Sequence, residues 1–302
     1  MPVDILKADI EEIRDELFVR KQVTVSVLRL DKIHPLVSGN KIFKLHYFLE
    51  EAVSDHKKTV LTFGGAYSNH LAATAFACRT LQIKCIGVVR GERPSVLSVT
   101  LQQCLKDGMQ LHFISRQEYV KKEEPYFINA LLASYGDCII IPEGGYHQLG
   151  AKGASKILDL IKDNDYSHIC TASGTATTLA GILMAAKPGQ TVVGFPVLKG
   201  VTDNIERIKK ITQDTVDIEK LMILNNYHFG GYAKRTDQLI NFMNECWLQY
   251  QLPLDFVYTA KMFFGIIDTV KSDTFTKGSK ILCIHTGGLQ GNKSLPLNSL
   301  LF

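Results

Sequence analysis

TVLTFGGAYSNHLAATAFACRTLQIKCIGVV, residues 59–89, decides the fold. Thr59 to Phe63 is a buried-strand run, Asn69 to Leu81 an Ala-rich segment too long for a strand, and Ile83 to Val89 a second strand run. A paired-glycine turn, Gly64-Gly65, separates the first strand from the helix. The same rhythm extends in both directions. Before it come a strand at Val23 to Leu30, a loop through Pro35 and Gly39, and a helix from about Lys41 to Val53. After it come helix Ser95 to Lys106, strand Met109 to Ile114, helix Tyr126 to Ser134 and strand Cys138 to Ile141. From Ala151 the pattern resumes with a helix to Lys162, strand His168 to Thr171, helix Thr178 to Ala186 and strand Thr191 to Val197. Thr202 to Lys220 reads as a solvated helix, Thr236 to Tyr250 as another helix, and Ile281 to His285 as the last strand. Strands alternating with helices almost from end to end predict an α/β protein with parallel-rich sheets. The block of about four strands ending at Ile141 is large enough to form a small domain of its own.

The 302 residues, 46% hydrophobic and 21% charged, are those of a globular protein and allow one large or two closely associated domains. A net charge of +4 with no basic run argues against nucleic acid as a partner. The seven cysteines are odd in number and contain no Cys-x-x-Cys pair, so no disulfide framework is expected. The nine histidines form no metal-ligand motif, and a metal is not expected. No apolar run suits a signal peptide or a membrane span, which predicts a cytoplasmic protein without a membrane partner.

Three segments carry polar chemistry at strand-to-helix turns. In Ser38-Gly39-Asn40-Lys41, serine and asparagine precede a helix as caps and Lys41 falls in its first turn. The positive helix dipole disfavours a cation there, and burial would lower the lysine pKa further, as a reactive amine requires. Position by itself favours a solvated lysine with an extended side chain. In Gly64-Gly65-Ala66-Tyr67-Ser68-Asn69-His70, the glycines admit a ligand close to the backbone and the helix start offers free N–H groups; Ser68 or Asn69 also fits a simple cap. Ser173-Gly174-Thr175-Ala176-Thr177-Thr178 forms the clearest anion nest, and it lacks both the P-loop ending and the dinucleotide fingerprint. Gly230-Gly231-Tyr232, Tyr258-Thr259 and Thr286-Gly287-Gly288, taken singly, read as turns or core.

In this order the motifs Ser-Gly-Asn-Lys-x-x-Lys-Leu, Gly-Gly-x-x-Ser-Asn-His, Ser-Gly-Thr and His-Thr-Gly-Gly resemble the aminocyclopropane-carboxylate (ACC) deaminase and D-cysteine desulfhydrase family, from about Val23 to Gly288. The resemblance implies the two-domain, tryptophan-synthase-β-like fold (fold type II) and pyridoxal 5′-phosphate (PLP) as cofactor. It implies a large domain of residues 1–43 plus 143–302, a small mobile domain of residues 44–142, and a homodimer. Lys41 would be the Schiff-base lysine and Asn69 would bond the cofactor's phenolic oxygen. Gly174, Thr175, Ala176, Thr177 and Thr178 would hold the phosphate, and Thr286 would lie beside the pyridine ring. Ser68 and the adjacent amides would take the substrate carboxylate, Asn69, His70, Tyr258 and Thr259 would also contact the substrate, and Ser68, Tyr232 and Tyr258 would join Lys41 as catalytic groups. Ile42-Phe43 and Leu71-Ala72 depart from the family's Thr-Arg pairs, which would remove polar groups near the cofactor entrance.

The resemblance implies a small amino acid as substrate. It also implies that Thr259 and Thr286 stand where the deaminases place Glu and Leu and the desulfhydrases a small hydroxyl residue and Thr; the electron sink would then be shallower, which suits loss of a good leaving group from Cβ more than ring opening. The expected reaction is α,β-elimination, with D-cysteine the best guess and pyruvate, ammonia and sulfide as products. ACC deamination is the alternative enzyme reading, and a non-catalytic PLP-binding paralogue the reading from a different class.

Overall fold

The computed structural model describes residues 8–34, 37–163 and 165–302; Pro35, expected in the loop before Gly39, lies outside them. In chain order the elements are β1 (Ile10–Ile13), α1 (Glu16–Lys21), β2 (Thr24–Arg29), α2 (Lys41–Ser54), β3 (Thr59–Gly64), α3 (Asn69–Leu81), β4 (Lys84–Arg90), α4 (Val99–Lys106) and β5 (Met109–Ile114). They continue with α5 (Arg116–Val120), α6 (Pro125–Tyr135), β6 (Cys138–Ile141), α7 (Gln148–Ser155), β7 (His168–Ser173), α8 (Thr177–Ala185) and β8 (Thr191–Pro196). The last are α9 (Asn204–Thr212), β9 (Leu221–Ile223), α10 (Asp237–Tyr250), α11 (Thr259–Lys271) and β10 (Lys280–His285).

The strands form two sheets, ordered β1-β2-β10-β7-β8-β9 and β5-β4-β3-β6. All pairings are parallel except that of the edge strand β1 with β2. The expected four-strand block is therefore a separate sheet. Helices cover both faces of each sheet, which is why the parallel strands are apolar on both sides. One core, including Leu45, Leu71, Ala154, Leu179 and Leu282, joins α2, α3, α7 and α8 to the inner faces of both sheets. A second core lies under α1, α10 and α11, and a third covers the outer face of the small sheet.

Several elements differ from the sequence expectation for local reasons. The helix expected from Ala151 starts at Gln148, where the His147 ring accepts the Leu149 amide, and ends at Ser155 before a 3-10 turn, Lys156–Leu160. The long helix expected over Thr202 to Lys220 stops at Thr212 because Gln213 and Asp214 adopt left-handed backbone. Helix α11 was not anticipated: its buried Met262, Phe263 and Ile266 sit among other apolar residues with little polar contrast.

Helix α7 fixes the seat of α2 through close backbone contact. A Cβ on Gly153 would lie 2.0 Å from the Phe43 carbonyl oxygen, so only glycine permits this approach. Gly153→Val should force the helices apart and lower unfolding free energy by about 2–3 kcal/mol, measured by urea denaturation.

Candidate active site

Four segments converge on one pocket, each leaving the carboxyl end of a parallel strand: Asn40 and Lys41 after β2, Asn69 after β3, Ser173 to Thr178 after β7, and Thr286 to Gly288 after β10. Ligand crevices in open α/β sheets form at such ends. Lys44, Gly144 and Tyr258 complete the wall.

The turn that delivers Lys41 needs glycine. Gly39 has φ +91°, and a Cβ there would lie 2.0 Å from the Thr286 carbonyl oxygen. The adjacent Asn40 amide donates to that same oxygen at 3.2 Å. Asn40 does not cap α2 as expected. Its backbone is already helical, and its Oδ1 accepts the Lys41 amine at 2.9 Å while its Nδ2 donates to Thr178 Oγ1 at 2.7 Å. The Lys41 amine also lies 5.7 Å from the centre of the Tyr258 ring.

Burial pushes the Lys41 amine down to about 8, with the Asp255 carboxylate partly opposing it. Lys44, one turn further along α2, is 3% exposed and has no acidic partner among the described residues. Burial, and then the neighbouring Lys41, push its amine well below the ordinary value. Neither amine has an ion-pair partner among the described residues, and two such amines on one helix create a demand for an anion.

The opposite wall can supply the cradle. Ala176 holds a left-handed φ of 65° at the start of α8, whose first turn has no side-chain cap, leaving its amides to an incoming acceptor. Thr175 and Thr177 hydroxyls lie 2.9 Å apart beside it. Asn69 Oδ1 and Ser173 Oγ are buried without partners. Tyr258 packs edge-on against Tyr232 with ring centres 6.1 Å apart, and burial, with Tyr232, pushes its hydroxyl well up.

Of the residues expected at a site, Lys41, Asn69, Gly174, Thr175, Ala176, Thr177, Thr178, Tyr258 and Thr286 line this one pocket. Ser68 caps α3, accepting the Leu71 amide at 3.2 Å, and stands outside the pocket wall. Tyr232 is 45% exposed at the rim. His70 and Thr259 do not line this pocket. His70 Nε2 meets Thr62 Oγ1 at 2.9 Å in the interior, and the Thr259 hydroxyl donates to Asp255 at 2.7 Å. Ile42, Phe43, Leu71 and Ala72 are buried in the shared core. Their apolar character therefore serves packing and does not strip the pocket of polar groups.

Residues missed by the sequence reading include Lys44, Asp255 and Lys261. The i, i+3 spacing from Lys41 was the available signal for Lys44. Asp255 accepts the amides of Val257, Tyr258 and Thr259 as well as the Thr259 hydroxyl, shaping the turn that presents Tyr258. Lys261 donates to the His228 and Gly231 carbonyls at 2.8 and 2.7 Å and so anchors the turn before Tyr232.

Parallel strand ends converging on a lysine, with an anion cradle opposite, define a cofactor-dependent enzyme of α/β class. The chain matches the family described as pyridoxal-phosphate dependent enzyme over residues 18–287, and it belongs to that family. A bifunctional D-cysteine desulfhydrase/1-aminocyclopropane-1-carboxylate deaminase, mitochondrial, of Arabidopsis thaliana is 31% identical over 84% of this chain and 70% of its own. A putative 1-aminocyclopropane-1-carboxylate deaminase of Thermotoga maritima is 30% identical over 96% of this chain and 94% of its own. Among solved structures, an ACC deaminase homologue superposes with a TM-score of 0.79 at 26% identity, covering 94% of this chain and 90% of that one. A threonine deaminase isoform 2 of Solanum lycopersicum, with a TM-score of 0.70 at 14% identity over 97% of this chain and 85% of that one, shares the fold. The architecture is fold type II, and the cofactor is pyridoxal phosphate.

The pocket fits that cofactor. Free amides at α8, the Thr175 and Thr177 hydroxyls and the Lys44 amine suit a phosphate, Lys41 offers the amine, and the partnerless Asn69 amide oxygen and Ser173 hydroxyl mark polar positions awaiting a ligand.

A lysine held below its ordinary pKa carries fewer protons folded than unfolded between the two values, so it destabilises the folded state most at low pH. The penalty that a charged Lys41 places on the cofactor-free fold should therefore fade between pH 8 and pH 10.5, the span from the Lys41 value to the ordinary one. Lys44→Met should raise the cofactor-free midpoint at pH 7 by about 3 °C, with the gain shrinking toward pH 10. The same variant should bind PLP about tenfold more weakly, since it lacks a charge-assisted bond. Scanning calorimetry across pH and absorbance titration check both outcomes.

Proposed function

We propose that the chain is a PLP-dependent lyase and deaminase that performs α,β-elimination on a small amino acid, with D-cysteine the best candidate and pyruvate, ammonia and sulfide as products. The carrying observation is the Lys41 amine, buried in the pocket and pushed down to about 8, where a base that takes and returns a proton near neutral pH is most effective. The names of the Arabidopsis and Thermotoga relatives support the reaction class. Bound, the cofactor supplies an electron sink for the pair left at Cα.

Around it, the residues divide the work. Lys44, Thr175, Thr177 and the first amides of α8 hold the phosphate end, and Asn69 and Thr286 orient the ring. The 64–69 turn, with the Ser68 hydroxyl and its neighbouring amides, takes the substrate carboxylate at the rim. Lys41 Nζ removes the Cα proton, and Asn40 holds that amine when it is free. Tyr258 and Tyr232 flank the reacting side of the substrate and exclude water.

Elimination is favoured over ring opening because no Asp or Glu stands among the pocket-lining residues. Asp255 lies close behind Gly288, but its oxygens are committed to three amides and the Thr259 hydroxyl. A neutral wall leaves a shallower sink, sufficient for hydrosulfide loss. The buried positions of Ile42, Phe43, Leu71 and Ala72 count against a non-catalytic paralogue. The same reading has residues 44–142 closing over the pocket and the chain acting as a cytoplasmic homodimer; among the described residues no helix is long and apolar enough to cross a membrane.

Purified protein given D-cysteine should release sulfide and pyruvate in equal amounts, and Lys41→Ala should lose at least ~10³-fold of this rate. Release of 2-oxobutyrate from ACC without sulfide from D-cysteine would reassign the chain as a deaminase of the cyclic substrate. Full turnover by Lys41→Ala would contradict the assigned base.

A further inference from the structure

Behind the pocket, a single imidazole touches the roots of three of the segments that build it. His285 ends β10, is 1% exposed, and immediately precedes Thr286-Gly287-Gly288 on the pocket wall. Its Nε2 lies 2.7 Å from the Pro253 carbonyl oxygen, which can only accept, so this nitrogen carries a proton. Its Nδ1 lies 3.2 Å from Asp31 Oδ1 and 3.3 Å from the Gly287 amide nitrogen. A neutral ring accepts the Gly287 amide at Nδ1, whereas a charged ring donates to Asp31. In either form both nitrogens are engaged.

Each partner is the root of a different pocket segment. Pro253 lies two residues before Asp255, whose carboxylate organises the turn carrying Tyr258. Asp31 belongs to the 3-10 turn after β2, and the carbonyl of its neighbour Leu30 accepts the Gly39 amide at 2.8 Å, two residues before Lys41. Gly287 carries the third segment. Asp31 is itself fixed from the far side, since Arg29 Nε and Nη2 donate to its two oxygens at 2.9 and 2.7 Å, and Arg29 Nη1 reaches Glu11 at 2.5 Å. Burial would raise the Asp31 carboxyl, but His285 and Arg29 outweigh it and hold it below the ordinary carboxylate value. A purely space-filling residue would not need this buried ionic support, which is costly to desolvate.

We propose that His285, backed by Asp31, is a positioning residue that holds the Lys41, Tyr258 and Thr286 segments in register and so preforms the cofactor site. Neither side chain lines the pocket, and both act through the backbone they anchor. The proposal depends on the pocket holding PLP and not on the identity of the substrate.

The test uses cofactor-free His285→Gln and Asp31→Asn proteins, and the double variant, without any amino-acid substrate. PLP is titrated in by absorbance well below the thermal midpoint, and that midpoint is measured separately. Each single variant should bind PLP about tenfold or more weakly, with a displaced absorption band, as loss of supporting partners does elsewhere. The double variant should be no weaker than the worse single one, because the two residues act as one unit. Wild-type affinity and band together with a lowered midpoint would show a purely stabilising role and overturn the proposal. If His285→Gln does not fold, Asp31→Asn decides, since it keeps the imidazole and the side-chain volume; wild-type PLP affinity in that variant overturns the proposal equally.

Discussion

The arrangement depends on two lysine amines removed from water, neither of them ion-paired among the described residues, with the Asp255 carboxylate only partly offsetting burial at Lys41. Lys41 and Lys44 lie one turn apart at the amino end of α2, where the helix dipole adds to the cost of positive charge. Desolvation dominates at both positions, so both amines are held below their ordinary basicity. A site of this kind is electrostatically incomplete until an anion enters. The uncapped first turn of α8 answers with free amides, and a phosphate between the two walls satisfies both sides at once. The same depressed basicity makes Lys41 available as a reactive amine.

Parallel topology makes this juxtaposition possible. In a parallel sheet every strand delivers its carboxyl end to the same edge, so the loops after β2, β7 and β10 meet there without long excursions. The smaller sheet contributes Asn69 from the loop after β3, and the shared core of α2, α3, α7 and α8 locks the two sheets together. Contacts at atomic distance finish the work. The Gly153 backbone lies against the Phe43 carbonyl and seats α2, while Gly39 lies against Thr286 and brings the β2 and β10 loops together.

Much of this was legible in the sequence because parallel strands are apolar throughout and the intervening turns carry glycine and hydroxyl residues. Lys41 as the opening residue of a helix, the nest at 173–178 and the four-strand block all followed from such local signals. What was not legible depended on which way a side chain turns after packing. Lys44 reads as a surface lysine until the turn at Gly145 packs against its side chain. Thr259 reads as a pocket hydroxyl until Asp255 is seen to take its hydrogen bond. Ile42 and Leu71 look like lost polar groups until their helices are placed, when each proves to face the core. The short edge strands β1 and β9 were missed because strands of 4 and 3 residues carry too little periodicity to detect.

Of several buried amines, Lys41 is the one assigned to bond the cofactor. Reduction of the holoenzyme with borohydride fixes PLP to the amine that carries it, and mass spectrometry of the digested chain locates that amine. A single phosphopyridoxyl adduct on the peptide containing Lys41 is the expected result. An adduct on Lys44 or Lys261, or no adduct on a chain that binds PLP stoichiometrically, would contradict it.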